Sequence, residues 1–244
     1  MTFSNFKTYF KLLIHVLVGF FLIFIIFISS LRNKNRIIQW WSLRLLKILR
    51  IYINFTNFNF SKNFEQNYFF VSNHISWTDI FVINAIYPVI FLAKSSVKQW
   101  PIFGLMASVC NTVFIDRNSK KSLTNSLGKL NYLIGYNSIC IFPEGTSTIG
   151  HSVSKFHSNY FQIAIDNQFL INPLSLKYIK DGKNCNKAAF IDDDTLLQSI
   201  KQIVGCRGIN VEVKFLSKID SKGLDRKELA FKAYESISKS LRTY

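Results

Sequence analysis

The chain has 244 residues, 49% of them hydrophobic and 24 of them Phe, with a mean hydropathy of +0.17; the length fits one domain with an appendage, and the apolar content exceeds that of an ordinary water-soluble domain. Thirty Lys and Arg against 14 Asp and Glu give a formal charge of +16, which favours anionic partners such as phospholipid headgroups, acidic carrier proteins or nucleic acid, although a compositional bias toward Lys, Asn, Ile and Phe would produce much of the same charge. Cys110, Cys140, Cys185 and Cys206 form no C-x-x-C pair, which speaks for structural thiols in a reducing compartment and against a zinc site or a disulfide framework.

From Leu12 to Leu31 the chain reads LLIHVLVGFFLIFIIFISSL, with His15 its only ionisable side chain. That length can cross a hydrocarbon core as a helix. No A-x-A-like site follows it, so a cleaved signal peptide is not the preferred reading. Arg32, Lys34, Arg36, Arg44, Lys47 and Arg50 follow the segment, against Lys7 and Lys11 before it, and this bias sets the rest of the chain on the cytoplasmic side. Residues 36–55, RIIQWWSLRLLKILRIYINF, interleave Arg44, Lys47 and Arg50 with Trp40, Trp41, Leu45, Leu46, Leu49 and Tyr52. The spacing predicts a basic amphipathic helix, either at the headgroup interface or packed on the domain with a solvated basic face. The two helices together could equally form a hairpin dipping into one leaflet.

A polar, Asn-rich connection at Asn54–Asn67 divides a membrane-anchoring part, 1–54, from a globular part, 55–244. Strands are predicted at Tyr68–Ser72, Val89–Ala93, Thr112–Ile115, Ser138–Phe142, Ile171–Leu176, Lys187–Ile191 and Asn210–Phe215. Helices are predicted at Thr78–Ile86, Ile102–Cys110, Lys120–Tyr132, Tyr160–Asp166, Thr195–Val204 and Asp225–Leu241. Continuous apolar strands such as YFFVS and SICIF alternating with helices predict an α/β fold, a mostly parallel mixed sheet covered by helices on both faces.

Four stretches carry candidate chemistry. In SNHISWTDIF (72–81) a strand gives way to a helix, and His74 and Asp79 lie five residues apart. Within one regular helix that spacing separates side chains by roughly 140°, so His74 is expected in the loop and Asp79 in the first helical turn, both facing one cleft. A carboxylate there can fix the imidazole tautomer and leave the other ring nitrogen to deprotonate an alcohol; a Ser76–Asp79 helix cap beside a satisfied loop histidine is the plainer alternative. No G-x-S-x-G elbow accompanies the pair, so direct attack by a substrate hydroxyl is preferred over an acyl-enzyme.

VFIDRNS (113–119) ends a strand with Arg117, whose guanidinium suits a phosphate or, more plainly, an ion pair with Asp116. ICIFPEGTST (139–148) is a strand followed by the sharp turn Glu144-Gly145-Thr146; a glycine there admits a ligand close to backbone N–H groups and Glu144 can bind hydroxyls, unless it is an ordinary turn. INPLSLKY (171–178) carries Pro173, which either shapes an apolar acyl pocket or marks an edge strand.

In this order, NHISWTD, VFIDR, FPEGT and INPLSL resemble the blocks of the glycerolipid acyltransferase family, which includes 1-acylglycerol-3-phosphate acyltransferases. The resemblance spans residues 68 to 216. It implies that His74 is the general base and Asp79 its orienter, that Arg117 holds the acceptor's phosphate, and that Glu144, Gly145 and Thr146 form the turn binding the glycerol phosphate. Lys94, within FLAKSSVKQWPIFG (91–104), would face the same cleft. The chain departs from many relatives at Ser147, where they carry Arg, and at Phe156-His157, where they carry Phe-Lys. Branches that acylate other lysolipids, including lyso-ornithine lipids, vary at these places.

The expected activity is transfer of a fatty acyl chain from acyl carrier protein or acyl-CoA to the free hydroxyl of 1-acylglycerol-3-phosphate, giving phosphatidate, with no metal and no cofactor beyond the thioester co-substrate. The alternatives are the same chemistry on another lysolipid, such as lyso-ornithine lipid, or a noncatalytic membrane-anchored module that binds anionic lipid. No aromatic-basic pattern points to nucleic acid.

Overall fold

The computed structural model describes residues 3–56, 58, 66–99, 103–109, 112–115, 128, 133, 137–191 and 194–242. The first helix, α1 (Phe3–Ile28), is built mostly from aliphatic and aromatic apolar residues without an interior proline. Its segment Asn5–Ile28 is long and apolar enough to cross a membrane. A helical stripe of large side chains, including Phe6, Phe10, Leu17, Phe20, Phe24 and Phe27, is exposed. The helix does not stand apart from the rest: Trp41 Nε1 donates to the His15 carbonyl at 3.4 Å and Arg207 Nη2 to Asn5 Oδ1 at 2.8 Å.

The amphipathic helix predicted over 36–55 begins and ends earlier in the chain than expected. Helix α2 (Leu31–Leu49) ends where Arg50 adopts the left-handed conformation, φ 57°, and Ile51–Thr56 form strand β1. The alternation I-Y-I-N-F-T has period two, and its β-branched and aromatic residues suit a pleated strand. Strand β1 runs parallel to β8 (Ile209–Phe215), Ile51 facing Ile209 and Thr56 facing Lys214, so it crosses the division drawn at 54/55 and ties the N-terminal helices to the sheet. The α2 stripe of Trp41, Leu45, Leu46 and Leu49 is buried against the body of the protein, whereas Trp40 and Leu43 face outward.

Nine strands among the described residues form one sheet. After β1 come β2 (Phe69–Ser72), β3 (Ile90–Lys94), β4 (Val113–Ile115), β5 (Ile139–Ile141), β6 (Leu170–Lys180), β7 (Lys183–Asn184), β8 and β9 (Ile219–Asp220). Their order is β1-β8-β6-β2-β5-β3-β4, with β7 and β9 added to β6. Neighbours are parallel except β6 against β8, β7 and β9, the mostly parallel mixed sheet expected.

Successive residues of a strand point to opposite faces, and here they separate two cores. Phe70, Leu174, Leu176 and Val213 pack with α2, α3 (Asp79–Ile86) and α6 (Leu196–Cys206); Phe69, Val71, Ile139 and Ile171 pack with α5 (Gln162–Asp166) and α7 (Arg226–Arg242). Helix α4 (Phe103–Val109) lies between β3 and β4 in the chain. The predicted strand at Lys187–Ile191 is instead a 3₁₀ turn, Asn186–Ala188, and an irregular stretch; Phe190 N–H reaches the Ile75 carbonyl rather than a ladder partner. The predicted helix Lys120–Tyr132, apart from the helical Gly128, and Cys110 lie outside the described residues. Cys185 and Cys206, remote in sequence, meet with their sulfurs 3.4 Å apart as free thiols.

Candidate active site

Strand β2 delivers the chain to the site. Asn73, buried, clamps the loop that follows: its Nδ2 donates to the Leu176 carbonyl at 3.0 Å and its Oδ1 accepts the Leu176 N–H at 2.8 Å. The side chain thereby substitutes for one more residue of strand pairing with β6, and His74 follows immediately.

The chain turns into α3 at Asp79, in the first turn, where a carboxylate is favoured by the helix N-terminus. Asp79 is fully buried. Its Oδ2 meets His74 Nδ1 at 2.8 Å and accepts the backbone N–H groups of Ile75 at 2.7 Å and Ser76 at 2.9 Å. One carboxylate therefore organises the loop as a cap and orients the imidazole. The His74 ring stacks on Phe142, centroids 4.2 Å apart, and keeps 21% of its surface exposed. With Nδ1 bound to Asp79, Nε2 is the nitrogen left for proton transfer.

The turn after β5 holds His74 from its other side. Glu144 is buried, and its Oε1 accepts the His74 N–H at 2.7 Å while Oε2 accepts the Ser154 N–H at 2.7 Å. Burial pushes the Glu144 carboxyl up to about 7, against the opposing pull of the two backbone donors and of His74. Gly145 adopts φ 74°, open to glycine without strain, and its N–H closes the turn onto the Phe142 carbonyl. Thr148 N–H donates to the His74 carbonyl at 2.9 Å. Ser147 Oγ donates to the Phe190 carbonyl, so the side chain at this position is tied down beside the cleft.

The structure thus brings His74, Asp79, Glu144 and Gly145 together, with Thr146 exposed on the same turn. Glu144 directs both oxygens at backbone donors rather than at open space. Pro173 is buried in the centre of the sheet, opposite Val71 of β2, with its carbonyl accepting the Leu216 N–H; it is neither on an edge strand nor at the apolar cavity described next. Arg117 and the side chain of Lys94 lie outside the described residues.

An apolar cavity of about 110 Å³ opens between α1–α2 and α3, lined by Ile26, Trp41, Trp77, Phe81, Phe91 and Ala107 among others. Phe91 stacks on Phe142 at 5.7 Å and Phe142 on His74, so the cavity begins two ring contacts from the imidazole.

Two groups in the site were not singled out by sequence. Asn73 is one. Tyr178 is the other: it follows Leu174 and Leu176 on one face of β6, and its hydroxyl donates to Asp79 Oδ1 at 2.6 Å. The alternation of INPLSLKY puts Tyr178 on that inward face, a signal available in the sequence.

A family model described as Acyltransferase matches residues 53–177. The chain is 34% identical over 209 residues to the lyso-ornithine lipid O-acyltransferase of Pseudomonas aeruginosa, an alignment covering 85% of this chain and 79% of that one. It is 32% identical over 169 residues to the 1-acyl-sn-glycerol-3-phosphate acyltransferase of Neisseria gonorrhoeae, covering 68% of this chain and 66% of that one. Its fold superimposes on the crystal structure of the 1-acyl-sn-glycerophosphate acyltransferase PlsC from Thermotoga maritima with a TM-score of 0.73, at 22% identity, over 98% of this chain and 94% of that one. The paired His74 and Asp79 at the head of α3, the FPEGT turn against them and these matches lead to one assignment: the chain belongs to the acyltransferase family.

Proposed function

We propose that the protein moves a fatty acyl chain from a thioester, acyl carrier protein or acyl-CoA, to the free hydroxyl of a lysolipid, producing phosphatidate when the acceptor is 1-acylglycerol-3-phosphate. The observation that carries this reading is the 2.8 Å pairing of His74 Nδ1 with buried Asp79 while the imidazole stays open at the cleft. His74 Nε2 takes the hydroxyl proton as the oxygen attacks the thioester carbonyl, and Asp79 stabilises the imidazolium that forms. Collapse of the tetrahedral intermediate breaks the C–S bond, and the imidazolium returns the proton to the departing thiolate. Glu144 contributes by fixing the His74 backbone, and the turn at Gly145 and Thr146 borders the acceptor. Arg117 and Lys94 supply cations for the acceptor's phosphate in this proposal, and the apolar cavity beside α3 takes acyl methylenes.

A specific observation favours lyso-ornithine lipid as a second acceptor. Ser147, where many relatives carry Arg, spends its hydroxyl on the Phe190 carbonyl, and residues 142–150 contain no Lys or Arg. A phosphate monoester gains less from such a turn than an acceptor without one.

Membrane attachment through the exposed stripe of α1 fits acceptors that reside in a bilayer, and the basic residues after α1 favour a cytoplasmic active site. Because α2 and β1 are built into the body of the protein, substitution tests this better than deletion: Phe20→Asp with Phe24→Asp should release protein from vesicles while leaving turnover of micellar acceptor intact. The decisive assay offers purified protein a labelled acyl thioester and a panel of lysolipids. Product with 1-acylglycerol-3-phosphate or lyso-ornithine lipid, lost in folded His74→Ala, is expected. Full activity of folded His74→Ala, or no acyl product from any lysolipid, overturns the reading.

A further inference from the structure

We propose that Tyr178 is a positioning residue for the reaction, the second anchor of Asp79 that keeps Oδ2 aimed at His74; this rests on the acyl-transfer reading above. Tyr178 is 2% exposed on β6. Its hydroxyl lies 2.6 Å from Asp79 Oδ1 and 2.8 Å from Thr78 Oγ1. A phenol has one proton, and a carboxylate oxygen can only accept. The proton therefore goes to Asp79, and the Thr78 hydroxyl donates to the phenol oxygen in turn. The result is a directed chain, Thr78 to Tyr178 to Asp79, which meets the donation from His74 Nδ1 on the other carboxylate oxygen.

The chain has two physical effects. With Oδ2 alone held, the carboxylate can swing about its own Cβ–Cγ bond; a short charge-assisted bond on Oδ1 removes that freedom. The bond also spreads the carboxylate's charge over both oxygens, which tempers its pull on the His74 Nδ1 proton. The donor is permanent: burial and the neighbouring Asp79 charge hold the Tyr178 phenol well above its usual range, so it does not ionise. Among the described residues, the other titratable groups facing the pair are Glu144 from the turn after β5 and Cys140 from β5, whose thiol is likewise pushed up by burial and by Asp79.

Tyr178→Phe keeps the ring and deletes only the donor. The expected result is a ten- to roughly hundredfold loss in kcat, the loss that follows a hydrogen bond to a charged group, with KM for the lysolipid nearly unchanged and the acid limb of the kcat/KM profile moved to higher pH. A role confined to packing would scale the profile down and lower Tm without moving the limb, and that outcome overturns the proposal. Thr78→Val, which leaves the bond to Asp79 in place, should move the limb the same way by less and serves if Tyr178→Phe does not fold. An assay-free measurement separates this idea from the acyl-transfer reading. In the full chain held in micelles, NMR titration of the His74 ring, identified by its loss in His74→Ala, should show the same upward shift in Tyr178→Phe even with no substrate. An unmoved His74 titration sinks the positioning role alone; absence of any acyl product from the wild type sinks the reading beneath it.

Discussion

Two buried carboxylates grip His74 from opposite sides, and they differ in what they hold. Asp79, on the α3 side, binds the ring nitrogen as well as two loop N–H groups with one oxygen, and Tyr178 with the other. Glu144, on the turn after β5, binds the His74 backbone N–H and the Ser154 N–H and touches no side chain of the pair. The first controls where the imidazole's protons sit. The second controls where the residue itself sits. The lesson is that motif acids with similar burial divide into electronic and scaffolding roles according to which atoms of the histidine they meet.

The comparison breaks most completely if its shared object is removed. His74→Ala should lower acyl transfer by at least about 10²–10⁴-fold, the range expected for a lost general base, with Tm little changed; a labelled-thioester assay and a melting curve check both. Asp79→Asn comes next. The amide has a single acceptor oxygen and cannot meet the two loop N–H groups, the His74 ring nitrogen and the Tyr178 hydroxyl as the carboxylate does, so kcat should fall on the order of 10³–10⁴-fold, as for a base left in the wrong tautomer. Its KM should move far less, which an acceptor titration would reveal.

Glu144→Gln should show the opposite balance, with stability affected first. One of the two backbone donors then confronts an NH₂ group, a cost of about 1–3 kcal/mol, and activity drops only as far as the His74 backbone shifts. The pH dependence has a definite sign. The folded carboxyl is raised from its ordinary value to about 7 by burial, so the fold favours the protonated form. Its contribution is fully present below the unfolded value of about 4.3 and is lost as pH rises through about 7. Wild-type Tm measured in micelles should therefore decline across that window more steeply than the Glu144→Gln variant's, and parallel curves would contradict the scaffolding role.

How far these roles were legible in sequence depends on how far away the partner lies. The strand-to-helix change around His74 and Asp79 is a local signal, and five residues separate the two, so the cleft-facing pair could be read directly. Asn73 and Tyr178 meet partners about a hundred positions away, across β6 and β2. Strand order makes those meetings, and a single sequence does not state it. The α2 stripe illustrates the same gap: periodicity identified Trp41, Leu45 and Leu49 as one apolar face, but what covers it is α3 and the sheet rather than lipid. Residues 51–55 read as helix because the apolar residues of 36–49 continue without a break, and only β8 decides for a strand. Glu144 was expected to face the acceptor because its motif does, yet burial turned its oxygens inward.

The smallest predicted effect sharpens the comparison at the His74 carbonyl, a further contact between the two sides. Thr148 meets the His74 carbonyl twice, through its N–H at 2.9 Å and through its hydroxyl at 3.3 Å, so this carbonyl joins the FPEGT turn to the loop that Asp79 caps. Thr148→Val deletes the longer contact, together with the Gly150 N–H donation that the hydroxyl accepts at 3.3 Å, and leaves the Thr148 N–H in place. A neutral bond of that length carries at most about 0.5–1.5 kcal/mol, and the N–H can tighten to take up the carbonyl, so kcat should fall by no more than about threefold. Since the hydroxyl touches the backbone and not the ring, the acid limb of the pH profile should stay where it is, in contrast to any variant that alters what Asp79 presents to Nδ1. A limb that moved in Thr148→Val would mean that backbone placement and imidazole basicity are coupled, and the division of labour between the two carboxylates would fail.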